Sequence, residues 1–305
     1  MHAKKVLDYL RALRLERWPR SFAIYVGTFS FFLLNPKSLA FHYSVFLALL
    51  FAFFLTWAVS TANYIINEIA DAPFDQHHPV KKTRPLAAGL VSRNVLGALF
   101  VLFAVGALGM GYAFFSTPFV LSLVALLIAG LLYNVPPFRL KDIPFLDFIS
   151  ESINNPIRFL IGWYSFGGES FPPILLLLWW WAFGMFLMVG KRISEKRFLG
   201  VQGSGAYRPS LKRVTEPALR LSMLSLGILS LLFIVAFALK YRIMTFLIFS
   251  LPMAGFFFWM FWVINRKRGE LEEPEEILQN PFLSILLFLI TAFFFLSLYL
   301  ERFSR

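Results

Sequence analysis

Apolar runs of roughly twenty residues, nearly free of charge, recur along this chain from one end to the other. A run of that length crosses the hydrocarbon of a bilayer as an α-helix. Inside the bilayer each peptide N–H and C=O needs a partner within the protein, so only helices and closed barrels can span it. The runs are continuous rather than alternating, which argues against a barrel. Charged residues make up 15% of the chain, where a soluble domain has about a quarter. The expected fold is therefore all-α and polytopic: one transmembrane domain over residues 1–305, its helices set around a central cavity.

Nine transmembrane helices are predicted, at Ser21–Leu34, Tyr43–Ile66, Val95–Phe115, Phe119–Tyr133, Phe148–Phe166, Ile174–Val189, Leu221–Leu239, Met244–Ile264 and Phe282–Leu298. Lys and Arg orient them. With the N-terminus inside, residues 1–20 carry six, and the successive inner loops carry four, two, eight and three. The outer side carries five, and Arg158 falls within the fifth span. This asymmetry predicts a cytoplasmic N-terminus, an external C-terminus and a cytoplasm-facing site in a bacterial or archaeal plasma membrane. The basic segment 1–20 lacks an A-x-A-like cleavage site before the first run, so it reads as a cytoplasmic segment rather than a cleaved signal peptide.

The same bias accounts for the net charge of +12. No basic stretch is long or carried on a soluble domain, so nucleic acid is not an expected partner. The absence of cysteine excludes disulfides, thiolate metal sites and cysteine nucleophiles.

One stretch breaks the apolar pattern. Asn67 to Pro85 reads NEIADAPFDQHHPVKKTRP and follows directly on the second span. Asn67, Asp71 and Asp75 are four apart, which puts them within an arc of about 80° on a helix. Pro73 disturbs that ladder, so Asp75 is expected just past the helix end. Two carboxylates and an amide oxygen are hard ligands suited to Mg²⁺, an ion that takes one or two carboxylates and bridges to substrate phosphate. The cations that follow, with His78, Lys81, Lys82 and Arg84 among them, complete what a Mg²⁺–diphosphate site needs. The plainer alternative is a set of solvated ion pairs at the membrane surface. A transporter would instead show paired broken helices near the midplane; here the polar residues cluster at one membrane edge.

The run N-x-x-x-D-x-x-x-D followed by HPVKKTRPLAAG resembles the first signature of the UbiA superfamily of intramembrane prenyltransferases. Asn67, Asp71, Asp75, Arg84, Pro85, Leu86 and Gly89 match it, and Glu68 stands where an Asp is usual. Most members carry a second D-x-x-x-D after span six. This chain has Gly190-Lys191-Arg192-Ile193-Ser194-Glu195 there, two cations and one acid. Lys191, Arg192 and Glu195 share a helical face. One acid motif with a Lys-Arg pair suits fewer metal ions and more directly bound anion.

GKRISE followed by AYRPSLKRVTEPAL resembles the decaprenyl-phosphate phosphoribosyltransferase branch. Arg208 and Leu211 match, and Val214 replaces an aromatic. LKDIPFLD, with Lys141, Asp142 and Asp147, favours the same branch. The N-terminal R-P-x-Q-W-x-K-N of that branch is represented here by Arg14 to Ser21, with the Trp kept and the Lys-Asn pair gone.

The resemblance implies a Mg²⁺-dependent transfer of 5-phosphoribosyl from phosphoribosyl diphosphate to a polyprenyl phosphate in the membrane. Asn67, Asp71 and Asp75 would hold the metal. His78, Lys81, Lys82, Arg84, Lys141, Arg158, Lys191, Arg192, Glu195 and Arg208 would bind substrate. The alternative is a prenyl transfer from prenyl diphosphate to an aromatic or other small acceptor. Arg158 has its own alternatives: a phosphate contact at membrane depth, or a structural pair with Glu151 or a neighbouring Asn.

Overall fold

The computed structural model describes residues 2–35, 43–76, 81–166 and 170–266, with six further positions between 285 and 300. No strand occurs among them. The helices are α1 (His2–Leu13), α2 (Ile24–Leu34), α3 (Tyr43–Asp75), α4 (Arg93–Phe114), α5 (Thr117–Asn134), α6 (Leu146–Ser152), α7 (Asn154–Tyr164), α8 (Ile174–Tyr207), α9 (Pro209–Arg213), α10 (Glu216–Tyr241) and α11 (Thr245–Arg266). Six of the described helices, α3, α4, α5, α8, α10 and α11, are long and apolar enough to cross a membrane. Their outward faces stay apolar, as at Val101, Leu102 and Val105 of α4 and Leu221, Ile228 and Leu232 of α10. A lipid-facing surface requires this, because hydrocarbon replaces water as solvent. The protein is an integral membrane protein.

The expected spans are recovered with instructive differences. The first is the eleven-residue α2, preceded by a 3₁₀ segment, Leu15–Ala23, that contains Pro19. The fifth is two shorter helices, α6 and α7, which meet at Ile153. The second and sixth run on past the predicted ends. α3 continues through Pro73 to Asp75, so Asp75 is in the last turn and not beyond it. A proline this close to a helix end costs one hydrogen bond without ending the helix. α8 continues to Tyr207, interrupted at Gly200 (φ 68°, ψ 176°). Both polar segments are thus carried on helical extensions of apolar spans. The ninth predicted span lies outside the described residues, apart from those isolated positions.

The chain forms two compact units. The first holds Met1–Lys141 and Ile157–Phe171, the second Asp142–Pro156 and Pro172–Arg305. In the first, Ala12 and Leu13 of α1 are buried in one cluster with Ile65, Val91 and Leu96. Asn63 of α3 donates to the Leu126 carbonyl of α5 at 2.8 Å. In the second, Phe186 of α8 packs edge-on to Phe257 of α11. Ser230 of α10 donates to the Trp179 carbonyl at 3.3 Å. Thr215 caps α10 by accepting from the Ala218 N–H, with Pro217 in the first turn.

Candidate active site

Asn67 and Asp71 lie one turn apart on α3, and Asn67 Nδ2 donates to Asp71 Oδ2 at 3.0 Å. The same nitrogen donates to Asn134 Oδ1 at 2.7 Å. Asn134 is the last residue of α5, buried, and anchored by its own Nδ2 to the Gly130 carbonyl at 2.9 Å. Beyond it the chain turns back, and Arg139 and Lys141 reach Asp71 together. Arg139 Nη2 donates to Asp71 Oδ1 at 3.1 Å, and Lys141 Nζ pairs with the same oxygen. Lys141 is buried and also donates to Asn134 Oδ1 at 2.9 Å. The Arg139 guanidinium lies over the Phe74 ring at 4.3 Å and donates to the Ala70 and Asn134 carbonyls. Its backbone sits at φ 34°, in the left-handed region, which a non-glycine residue occupies at a cost.

Asp75 is 1% exposed and pairs through Oδ2 with Arg84. Its Oδ1 is buried and has no hydrogen-bond partner among the described residues. A buried carboxylate oxygen without a donor is costly. Arg84 comes from a tight turn closed by Leu90 N–H to the Pro85 carbonyl and Gly89 N–H to the Leu86 carbonyl. Gly89 has φ +71°, a conformation that glycine enters freely. The R-P-L-A-A-G motif is thus a device for presenting one guanidinium. Lys81 and Lys82 form a 3₁₀ turn just before it, with Lys82 exposed. His78 lies outside the described residues.

Glu68, the departure from the usual Asp, points elsewhere. It is 2% exposed, accepts from Arg14 Nη2 at 2.7 Å and from the Leu86 N–H at 3.4 Å. It thereby ties the N-terminal segment and the Arg84 turn to α3. Burial, and then the like charge of Arg84, push the Arg14 guanidinium down from its ordinary value, while the Glu68 carboxylate supports its charge.

The second unit holds the other predicted residues. Arg192 is fully buried. Its Nε donates to Asp147 Oδ2 at 2.8 Å, its Nη1 to Glu195 Oε2 at 3.0 Å, and its Nη2 to Glu151. Asp147 and Glu151 are four apart on α6 and Glu195 is on α8. Ser210 donates to Asp147 at 3.1 Å, Arg208 lies 3.6 Å from Glu195, and Lys191 3.9 Å from Glu151. The Arg192 guanidinium, expected from sequence to meet a substrate phosphate, is closed to solvent and met by three acids. Lys191 and Arg208 lie at the margin of this cluster, 13% and 12% exposed at their side chains.

Arg158 of α7 is 9% exposed and donates from Nη2 to Ser60 Oγ at 3.1 Å. Among the described residues it forms no ion pair, so the structural pair with Glu151 is not formed.

Arg139, Asn134, Glu151 and Asp147 carry much of this geometry, and motif spacing alone missed all four as site residues. The available signal was Arg139-x-Lys141, a second pair of cations on the short inner loop after α5.

The pattern of the UbiA prenyltransferase family matches residues 23–276, most of the chain. The chain belongs to the UbiA prenyltransferase family. Among curated UbiA relatives, the decaprenyl-phosphate phosphoribosyltransferase of Mycobacterium tuberculosis is 30% identical over 171 residues, 55% of this chain and 54% of that protein. The Corynebacterium glutamicum protein of the same name is 27% identical over 213 residues, 69% of this chain and 61% of that protein. These matches span less than two thirds of the curated relatives' length. A UbiA homologue from Archaeoglobus fulgidus, solved with GPP and Mg²⁺, shares the fold with a TM-score of 0.71 at 20% identity, covering 96% of this chain and 99% of that one.

Proposed function

We propose that this UbiA-family transferase moves 5-phosphoribosyl from phosphoribosyl diphosphate to a polyprenyl phosphate. The observation that carries this reading is the charge balance of the polar segments. Asp71 and Asp75 face Arg84, Arg139 and Lys141 in the first unit, and in the second an arginine neutralises the acids that are there. A site with more cations than free acids suits a reaction in which both substrates carry phosphate. The similarity to two proteins named decaprenyl-phosphate phosphoribosyltransferase supports it.

The residues of α3 fit a Mg²⁺ ion. Asp75 Oδ1 is a hard oxygen donor, buried and without a partner among the described residues, and Asp71 and Asn67 share its helical face. Bound Mg²⁺ would neutralise the leaving diphosphate. Arg84, Lys81, Lys82 and His78 would meet donor phosphate oxygens, while Lys141 and Arg139 would orient Asp71 and meet the diphosphate beside it. Within the second unit, Lys191 and Arg208 would meet phosphate oxygens, with Arg192 and Glu195 as positioning residues. A phosphate oxygen of the acceptor attacks the anomeric carbon, the bond from that carbon to the diphosphate breaks, and diphosphate leaves. The attacking oxygen is already anionic, so no general base is required; orientation and electrostatics account for the rate.

The test is a donor comparison with the purified protein. Diphosphate release from phosphoribosyl diphosphate that requires both a polyprenyl phosphate and Mg²⁺ is the expected result. Turnover of a prenyl diphosphate with an aromatic acceptor, and none of the ribosyl donor, would replace this reading with prenyl transfer.

A further inference from the structure

In the first unit, α1 packs inward by one face. Ala12 and Leu13 are buried with Ile65 of α3 and Leu96 of α4, and Tyr9 and Ile69 pack against that cluster. Ile65 is two residues before Asn67, where the apolar run of α3 gives way to the polar stretch, and Leu96 is in the first turn of α4. α1 therefore lies where two spans pass from apolar to polar sequence, which is the level of a membrane surface.

Its other face is apolar and exposed. Val6, Leu7 and Leu10, neighbours at i,i+3 and i,i+4, are 59%, 48% and 43% exposed. Lys5 and Arg11 stand beside this stripe and are exposed as well. Asp8 is 3.7 Å from Arg11, whose side chain stays 65% exposed. Residues 1–20 hold six Lys or Arg against two acids. An aliphatic stripe bordered by cations suits a helix lying in a lipid interface, its apolar side among acyl chains and its cations at anionic headgroups. A few residues on, Trp18 and Phe22 are also exposed, and their rings meet Phe53 of the spanning helix α3 at 6.3 and 5.2 Å. Tryptophan is enriched at the same depth.

The same helix holds the turn that presents Arg84. The Tyr9 hydroxyl accepts from the Ser92 N–H at 3.0 Å. Leu86 and Val91 share the cluster of Ala12 and Leu13. Just past the end of α1, Arg14 donates to Glu68, which also accepts from the Leu86 N–H. The position of α1 is thereby passed to both ends of residues 86–92.

We propose that α1 is a binding surface for anionic phospholipid headgroups, and that docking there steadies the Arg84 turn. The occupant is the lipid surface and not a substrate, so the inference stands whichever group the protein transfers.

The chain has no cysteine, so Leu10→Cys labelled with the fluorophore NBD reports α1 alone. The full chain is placed in nanodiscs of phosphatidylcholine, or of phosphatidylcholine and phosphatidylglycerol in equal parts. Emission should lie further to the blue in the anionic discs than in the neutral ones, and Lys5→Glu with Arg11→Glu should abolish the difference. Amide exchange over residues 86–92 should be about tenfold slower in the anionic discs, since each basic residue near such a surface gains about fivefold in binding. The double variant should lose that protection. Water-like emission in both discs, or equal shifts in both, overturns the surface. A blue shift with unchanged exchange overturns its link to the turn. A shift that grows with protein concentration in lipid-free detergent assigns the face to a second copy of the chain and overturns the proposal. Both readouts are independent of turnover, so failure of the ribosyl-donor reading leaves them unaffected.

Discussion

Arg192 is closed to solvent, and its charge is met by Asp147, Glu151 and Glu195. Removing one partner from a buried ionic cluster leaves uncompensated charge, which costs about 3–5 kcal/mol. Arg192→Ala should therefore lower stability by that amount, read as a fall in unfolding temperature in detergent. A variant as stable as the wild type would show that the three acids do not depend on it. Asp71 behaves differently, since it is met by two cations that have further partners. Asp71→Asn should fold yet lower turnover by ~10²-fold or more, because several kcal/mol of charge stabilisation disappear with the metal ligand. Full activity in that variant would remove Asp71 from the metal site. The four-residue spacing made Asn67, Asp71 and Asp75 legible in advance. Asn134 and Arg139 were not, since they reach Asn67 and Asp71 respectively from a chain turn about seventy residues away.

Among the elements, α2 and α7 depend on their glycines. At Gly27 and Gly162 the helices meet carbonyl to backbone, and any Cβ collides with an oxygen that cannot rotate away. Gly162→Ala should cost at least about 1–3 kcal/mol, the usual penalty of overpacking. Gly97→Ala on α4, where nothing lies within 4 Å, should leave the unfolding temperature unchanged or raised; equal losses in both would refute the crossing. The helical extensions of α3 and α8 show a related point. Hydropathy ends a span where charge begins, whereas the helix continues for as long as its side chains find partners. Arg84 holds Asp75 in the last turn of α3, and Lys196 of α8 donates to the Leu211 and Val214 carbonyls.

For the molecule as a whole, the Lys and Arg asymmetry argues for a cytoplasmic N-terminus. The chain has no cysteine, which makes the orientation directly measurable. Thr117→Cys, in an exposed turn on the side expected to be external, should react with an impermeant maleimide in intact cells. Lys212→Cys, exposed and in a loop expected to be cytoplasmic, should react only after permeabilisation. The reverse pattern would invert the topology.

Membrane class, helical architecture, most span positions and the four-residue spacing of Asn67, Asp71 and Asp75 were determined by sequence alone. They follow from local periodicity and from the energy of placing charge in hydrocarbon, and both are properties of a segment by itself. Tertiary structure alone decided which charges meet. It set Arg192 among Asp147, Glu151 and Glu195, brought Arg139 and Lys141 to Asp71, and put Asn134 on Asn67. An ionisable side chain reads the same in sequence whether it faces substrate, lipid or another side chain. Its role is fixed by the partner within a few ångströms, and that partner is supplied by chain folding from a distant segment.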